Sequence, residues 1–150
     1  MDLLLWRHAE AAPGIPDLTR TLTPHGREQA KAMARWLSAN APRRLRILVS
    51  PTVRTRQTIE AWRREYELCP EIGVSARGGN LLTAANWPSS REAVLLVGHQ
   101  PALGEAVAYL LNSDTRDMVV RKGSLWWFQH REHEGRVQTL LRAMIPASFA

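Results

Sequence analysis

Cysteine is almost absent from this chain. Cys69 stands alone, so no internal disulfide can form, and no Cys/His group has the spacing of a zinc site. Long apolar runs are missing too: none approaches the roughly 18 to 20 residues needed to span a bilayer. The opening Met1-Asp2-Leu3-Leu4-Leu5-Trp6 lacks a basic leader and runs straight into Arg7-His8, so no signal peptide is expected. These absences predict a reduced, cytoplasmic protein with no membrane partner. No carboxylate cluster stands ready to hold a cation, so neither metal nor cofactor is expected. Repeats, low-complexity tracts and linkers are lacking, and 150 residues make one domain, 1–150, able to bury a core.

What is abundant is scattered positive charge. Lysine and arginine number 20 against 14 acidic residues, a net charge of +6. That balance favours anionic partners such as phosphate. The basic residues form no run and do not alternate with aromatics, so nucleic acid is not expected as a partner.

Apolar patterning divides the chain into alternating elements. Leu3 to Trp6, Ile47 to Val49 and Ala93 to Val97 are compact apolar runs, too short for helices, and read as buried strands. Thr23-Pro24 supplies an N-cap and a first-turn proline, and behind it Ala30, Met33, Ala34 and Leu37 share a helical face. Ser50-Pro51 is read as opening a second helix with Ile59, Trp62 and Tyr66 on one side. Gln100-Pro101 precedes a third helix that carries Leu103, Val107, Leu110 and Leu111. Between Cys69 and Ser90 a short strand is expected near Ile72 to Val74 and a short helix near Leu81 to Trp87. The tail reads as a hairpin, Ser124 to His130 and Arg136 to Ile145, turning at Glu134-Gly135. Trp126-Trp127-Phe128 on its first strand is assigned to packing.

Strand–helix alternation predicts an α/β fold: three α/β/α layers around a mostly parallel sheet, made mixed by the hairpin. In such sheets ligands bind beyond the carboxyl ends of the strands. Arg7-His8, Ser50 to Arg54 and Gly98-His99 follow the three strongest strands and should share one crevice. Arginine forks match phosphate oxygens bidentately, and helix N-termini add donors and positive dipole ends. A neutral imidazole placed in line can attack phosphorus.

The segments around these residues have a specific resemblance. Leu5-Trp6-Arg7-His8-Ala9-Glu10, Leu22-Thr23-Pro24-His25-Gly26-Arg27-Glu28-Gln29-Ala30, Ser50-Pro51-Thr52-Val53-Arg54-Thr55-Arg56-Gln57-Thr58 and Val97-Gly98-His99-Gln100-Pro101 occur in order. They resemble the four motifs of the histidine phosphatase, or phosphoglycerate-mutase-like, superfamily, and with the strands they cover nearly the whole chain. The resemblance implies that His8 is the nucleophile that becomes phosphohistidine. Arg7 and Arg54 would clamp the phosphate, and His99 would donate to its oxygens. Arg20 is implied as an auxiliary phosphate contact. His25, His130 and His133 match nothing catalytic and are expected to be solvated or helix-terminal.

Compact length and Ala9 in place of the usual glycine are similar to the SixA-type phosphohistidine phosphatases, a branch without a lid insert. Mutases and many phosphomonoesterases of the superfamily carry a glutamate general acid in the segment between Gln57-Thr58 and the second histidine, where this chain has Ala76-Arg77-Gly78-Gly79-Asn80-Leu81-Leu82, with Asn80 in the acid's place. Without it an alkoxide leaving group forfeits about 10²- to 10⁴-fold of rate, whereas an imidazole leaves easily. The expected function is therefore dephosphorylation of phosphohistidine on a signalling or phosphotransfer protein, with no cofactor. A small phosphorylated substrate and a non-catalytic phospho-ligand domain are the alternatives.

Overall fold

A computed structural model describes residues 1–116 and 118–150. The order of elements is β1 (Asp2–Arg7), α1 (Pro24–Asn40), β2 (Leu45–Val49), α2 (Val53–Glu60), β3 (Glu67–Leu68), α3 (Gly78–Ala84), β4 (Ala93–Gly98), α4 (Ala102–Leu110), β5 (Leu125–His133) and β6 (Arg136–Ile145). The strands form one six-stranded sheet in the order β3-β2-β4-β1-β5-β6. Pairing is parallel from β3 through β1 and antiparallel across β1–β5 and β5–β6. The sheet is mixed, and its parallel part is central.

The continuous apolar runs of β1 and β4 follow from cover on both faces of the sheet. Leu3, Leu5, Val94 and Leu96 pack with Leu81 of α3 and with Leu103 and Val107 of α4. Leu4, Trp6, Leu95 and Val97 turn the other way, onto Met33 and Leu37 of α1 and Ile59 of α2. Each such fully buried side chain is worth about 1.5–3 kcal/mol of transfer free energy. Three layers result, as the alternation predicted. No helix among the described residues is long and apolar enough to cross a membrane.

Local chemistry sets the ends. The Thr23 hydroxyl accepts from Gly26 N–H at 2.9 Å, with Pro24 in the first turn of α1. The hairpin turns where predicted, with Glu134 and Gly135 at φ of 50° and 71°. That conformation matches a two-residue turn between twisted strands. On β5, Trp126 and Phe128 stack on one face, while Trp127 sits on the other against Trp36. The aromatic run serves both layers.

Four local expectations change. Thr52, not Ser50, caps α2, because Ser50 N–H still donates to Val97 O and so continues the β2–β4 ladder. The same helix stops at Glu60, well before Tyr66, because Arg63 adopts φ of 52°. Trp62 is nevertheless buried, its indole N–H donating to Ser38 Oγ at 2.8 Å. Beside β2 in the sheet, the strand is Glu67–Leu68, not Ile72 to Val74, and Pro70–Ile72 is a 3-10 turn: proline has no N–H with which to extend the ladder. Finally, α3 ends at Ala84, leaving Trp87 in the following loop. Between α2 and β4 stand only β3, that turn and α3, so the compact outline holds.

Candidate functional site

Strands β2, β4 and β1 lie side by side and run in one direction, so the residues after Val49, Gly98 and Arg7 emerge along one edge. His8 N–H donates to Gly98 O at 3.1 Å, extending the β1–β4 ladder by one rung and seating His8 beside His99. Their ring centroids are 5.3 Å apart. Both imidazoles are buried, as is Arg54, and Arg7 is half-buried. The two rings thus stand together, and the charges of Arg7 and Arg54 act on both.

The tautomer of His8 is set by its neighbour. Its Nδ1 lies 2.7 Å from Ala9 O, and a carbonyl can only accept, so Nδ1 carries the proton and Nε2 presents a lone pair. Burial is the largest force lowering its pKa to about 4, and the Arg54, Arg7 and Arg20 charges add to it against the Ala9 bond. At neutral pH this ring is an uncharged base. His99 is lowered to about 3, again chiefly by burial, with His8 and Arg54 assisting and Asp17 opposing. Its Nε2 shares a 2.7 Å hydrogen bond with Ser50 Oγ, and Nδ1 has no partner. The serine thus serves the histidine rather than the helix cap.

Each arginine is anchored by one end. Arg7 Nη1 donates to Val120 O at 2.8 Å. Arg54 Nη1 and Nη2 donate to the main-chain oxygen and Oδ2 of Asp17 at 2.8 and 3.0 Å. Arg20 donates through Nε to Ala12 O at 2.8 Å and through Nη1 to Asp17 Oδ1 at 3.1 Å. Among the described residues, the buried side-chain nitrogens and oxygens without a hydrogen-bond partner are Arg7 Nε, Arg54 Nε and His99 Nδ1. All three belong to residues grouped about His8. An unmet buried polar group costs about 1–3 kcal/mol, and an oxyanion with several acceptor oxygens would relieve all three at once.

Motif residues that carry no chemistry hold the His8 loop in place. Ala9 N–H donates to Thr58 Oγ1 at 3.1 Å, and Glu10 N–H to Gln29 Oε1 at 2.9 Å. Leu22 N–H donates to Gln57 Oε1 at 2.8 Å. Gly26 lies against Glu10 O so closely that a Cβ there would collide with main chain. Sequence reasoning missed Asp17 entirely: an acid in an exposed loop carries no periodic signal. Asn80, compared above with the missing acid, instead caps α3 by accepting from Arg77 N–H at 2.8 Å. The carboxylate near that helix end is Glu105 of α4, bonded to Gly78 N–H and paired with Arg77. Of the remaining histidines, His25 and His133 are exposed, and His130 packs edge-on against Trp87.

A model of the histidine phosphatase superfamily, branch 1, matches residues 3–77. The phosphohistidine phosphatase SixA of Escherichia coli strain K12 is 31% identical over 128 residues, 79% of either chain. A structure of the protein histidine phosphatase SixA complexed with tungstate has a TM-score of 0.78 at 26% identity, covering 99% of this chain and 98% of that one. A phosphoserine phosphatase of Entamoeba histolytica, solved with phosphoserine, has a TM-score of 0.73 at 15% identity over 99% and 98% of the two chains, a likeness of fold alone.

Proposed function

The chain belongs to the histidine phosphatase superfamily, and from that membership we propose that it is a phosphohistidine phosphatase working through a covalent intermediate on His8. The observation that carries this reading is that three unpartnered buried nitrogens, Arg7 Nε, Arg54 Nε and His99 Nδ1, all belong to residues grouped about the uncharged His8 imidazole.

Arg7 and Arg54 take the equatorial oxygens of the phosphoryl group, and Arg20 is the auxiliary cation beside them. With Ser50 donating to His99 Nε2, the proton sits on Nδ1, and that N–H donates to a phosphoryl oxygen. The lone pair on His8 Nε2 attacks phosphorus as the bond from phosphorus to the leaving group breaks. The Nδ1–H bond to Ala9 O holds the ring in line while charge develops on it. Water then attacks the phosphohistidine, releasing inorganic phosphate and restoring the lone pair on Nε2.

The leaving group decides the substrate. A substrate phosphohistidine protonated on its other ring nitrogen departs as neutral imidazole and needs no proton delivered to the scissile atom. An alkoxide does need one. Arg20 and Arg54 hold Asp17 below the usual carboxylate range, and Arg77 and the Gly78 N–H do the same for Glu105. Both acids are ionised at neutral pH and cannot donate. The similarity to SixA supports a phosphohistidine-bearing protein as the partner, and the free thiol of Cys69 suits a cytoplasmic setting. Residues 1–150 act as one phosphatase domain, and no nucleic acid or cofactor enters the scheme.

Incubation with labelled phosphohistidine peptide followed by denaturing quench should trap acid-labile, base-stable label on the protein. His8→Ala should lose both label and turnover, and label retained by that variant would overturn the assignment. The arginines already supply the positive charge the transition state needs, so turnover should survive EDTA; a strict need for a divalent ion would reject the scheme. Phosphoserine peptides and hexose phosphates should be slower by about 10²- to 10⁴-fold. Efficient turnover of an alkyl phosphate would instead make the chain a small-molecule phosphatase on the same scaffold.

A further inference from the structure

We propose that Asp17 is the positioning residue of the phosphate clamp, holding the Arg54 fork from the solvent side and tethering Arg20 to it. The inference rests on the phosphatase reading above. Both terminal nitrogens of Arg54 are committed to this one residue, at 2.8 Å to its main-chain oxygen and 3.0 Å to Oδ2. Each terminal nitrogen keeps one further N–H, and the buried Nε has no partner at all. The Arg54 side chain is 6% exposed and the Asp17 side chain 52%. The carboxylate therefore occupies the outer rim, while the unpartnered Nε of the guanidinium is buried. A phosphoryl group taken up by Nε leaves both Asp17 bonds in place.

The rest of the chain of contacts supports a tether. Asp17 Oδ1 accepts from Arg20 Nη1 at 3.1 Å, and Arg20 Nε donates to Ala12 O at 2.8 Å. Ala12 follows the loop that begins at His8. Asp17 thus ties α2, through Arg54, to the nucleophile loop, through Arg20. The 3-10 turn that carries it, Asp17–Thr19, has no buried residue; its own Leu18 is exposed, as is Ile15 just before it. With no apolar anchor, this turn is held to α2 by polar bonds.

That arrangement separates stability from function. An exposed carboxylate pairing with arginines is worth little to folding. A misplacement of a binding group by about 1 Å costs on the order of 10²-fold in rate. Asp17→Ala should therefore raise KM for a phosphohistidine peptide and Ki for inorganic phosphate and tungstate by about 10- to 100-fold, with a smaller change in kcat. Its Tm should stay within about 4 °C of the parent. Asp17→Asn keeps an oxygen that accepts from Arg54 Nη2 and should recover part of the loss. Asp17→Ala and Arg20→Ala combined should cost less than the product of their separate effects, because both cut one tether.

An unchanged or lower Ki for phosphate in Asp17→Ala, with an active parent, would overturn the inference, since Asp17 would then be a bystander or a competitor of phosphate. A parent chain that neither hydrolyses phosphohistidine nor binds phosphate would instead bring down the phosphatase reading beneath it.

Discussion

Near the start of β2, Arg46 gives Nε and Nη2 to the two oxygens of Glu67 at 2.9 Å each, bridging β2 and β3. Beyond the carboxyl end of the same strand, Arg54 also places two bonds on an acidic residue, Asp17. The Arg46 side chain is 42% exposed, and its donors are shared between a matched carboxylate and water. Arg54 is 6% exposed and keeps a buried Nε unmet. The first arginine is finished by the fold. Its counterpart in the crevice is left incomplete, at a cost in stability, and a phosphoryl group supplies what is missing. The same contrast separates the histidines: His133 lies exposed beside Glu134, whereas His8 and His99 are held uncharged inside the crevice.

The sharpest way to break this contrast is to truncate both arginines. Arg54→Ala should lower kcat/KM for a phosphohistidine peptide by about 10²- to 10³-fold, the usual cost of one preorganised oxyanion donor. Arg46→Ala should leave kcat/KM within twofold. Comparable losses from the two would mean that burial and unmet donors do not mark the site.

A second test uses pH. The folded-state pKa values of about 4 and 3 lie below the ordinary histidine value near 6.5, so below pH 6.5 the unfolded chain takes up protons that the folded chain refuses. The stabilisation is present above about pH 6.5 and is lost as pH falls toward 4, by up to about 1.4 kcal/mol per histidine for each pH unit. Thermal melts from pH 7 to pH 4.5 should show a falling Tm, and phosphate should reduce the fall because a bound anion favours protonated His99. A flat Tm over that range, without phosphate, would break the argument.

Smaller effects belong to the scaffold. Thr58→Val removes the acceptor for Ala9 N–H, and Gln57→Ala removes that for Leu22 N–H. Each should cost about 1–3 kcal/mol in denaturant unfolding, because a buried or half-buried donor loses its partner. Activity should fall only as far as the His8 loop loosens. The smallest effect is the stability change in Arg46→Ala, about 0–1 kcal/mol for an exposed pair. A larger loss would show that the β2–β3 edge depends on this bridge.

Much of the crevice was legible from patterning because its residues follow three short apolar runs, Leu3 to Trp6, Ile47 to Val49 and Ala93 to Val97. Such runs announce buried parallel strands, and parallel strands deliver their next residues to one edge. Arg7-His8, Arg54 and Gly98-His99 could be placed together on that ground. The helical stripe of Ala30, Met33, Ala34 and Leu37 was equally plain, as was the Glu134-Gly135 turn. Periodicity failed at Tyr66, where the apolar spacing continued but the positive φ of Arg63 had already ended α2. It failed again at Pro70, whose missing N–H outweighed the apolar character of Ile72 to Val74.

By itself, then, the sequence determined which segments are buried strands and helical stripes and which side chains leave the strands' carboxyl ends, because burial is written locally in residue type and spacing. Only the tertiary structure decided the polar couplings. Ser50 turns to His99 across 49 residues, Gln57 reaches Leu22 across 35, and Asp17 reaches Arg54 across 37. A hydrogen bond depends on distances of a few tenths of an ångström and on the direction of a donor. No pattern of polar residues along a chain encodes those quantities until the layers have packed.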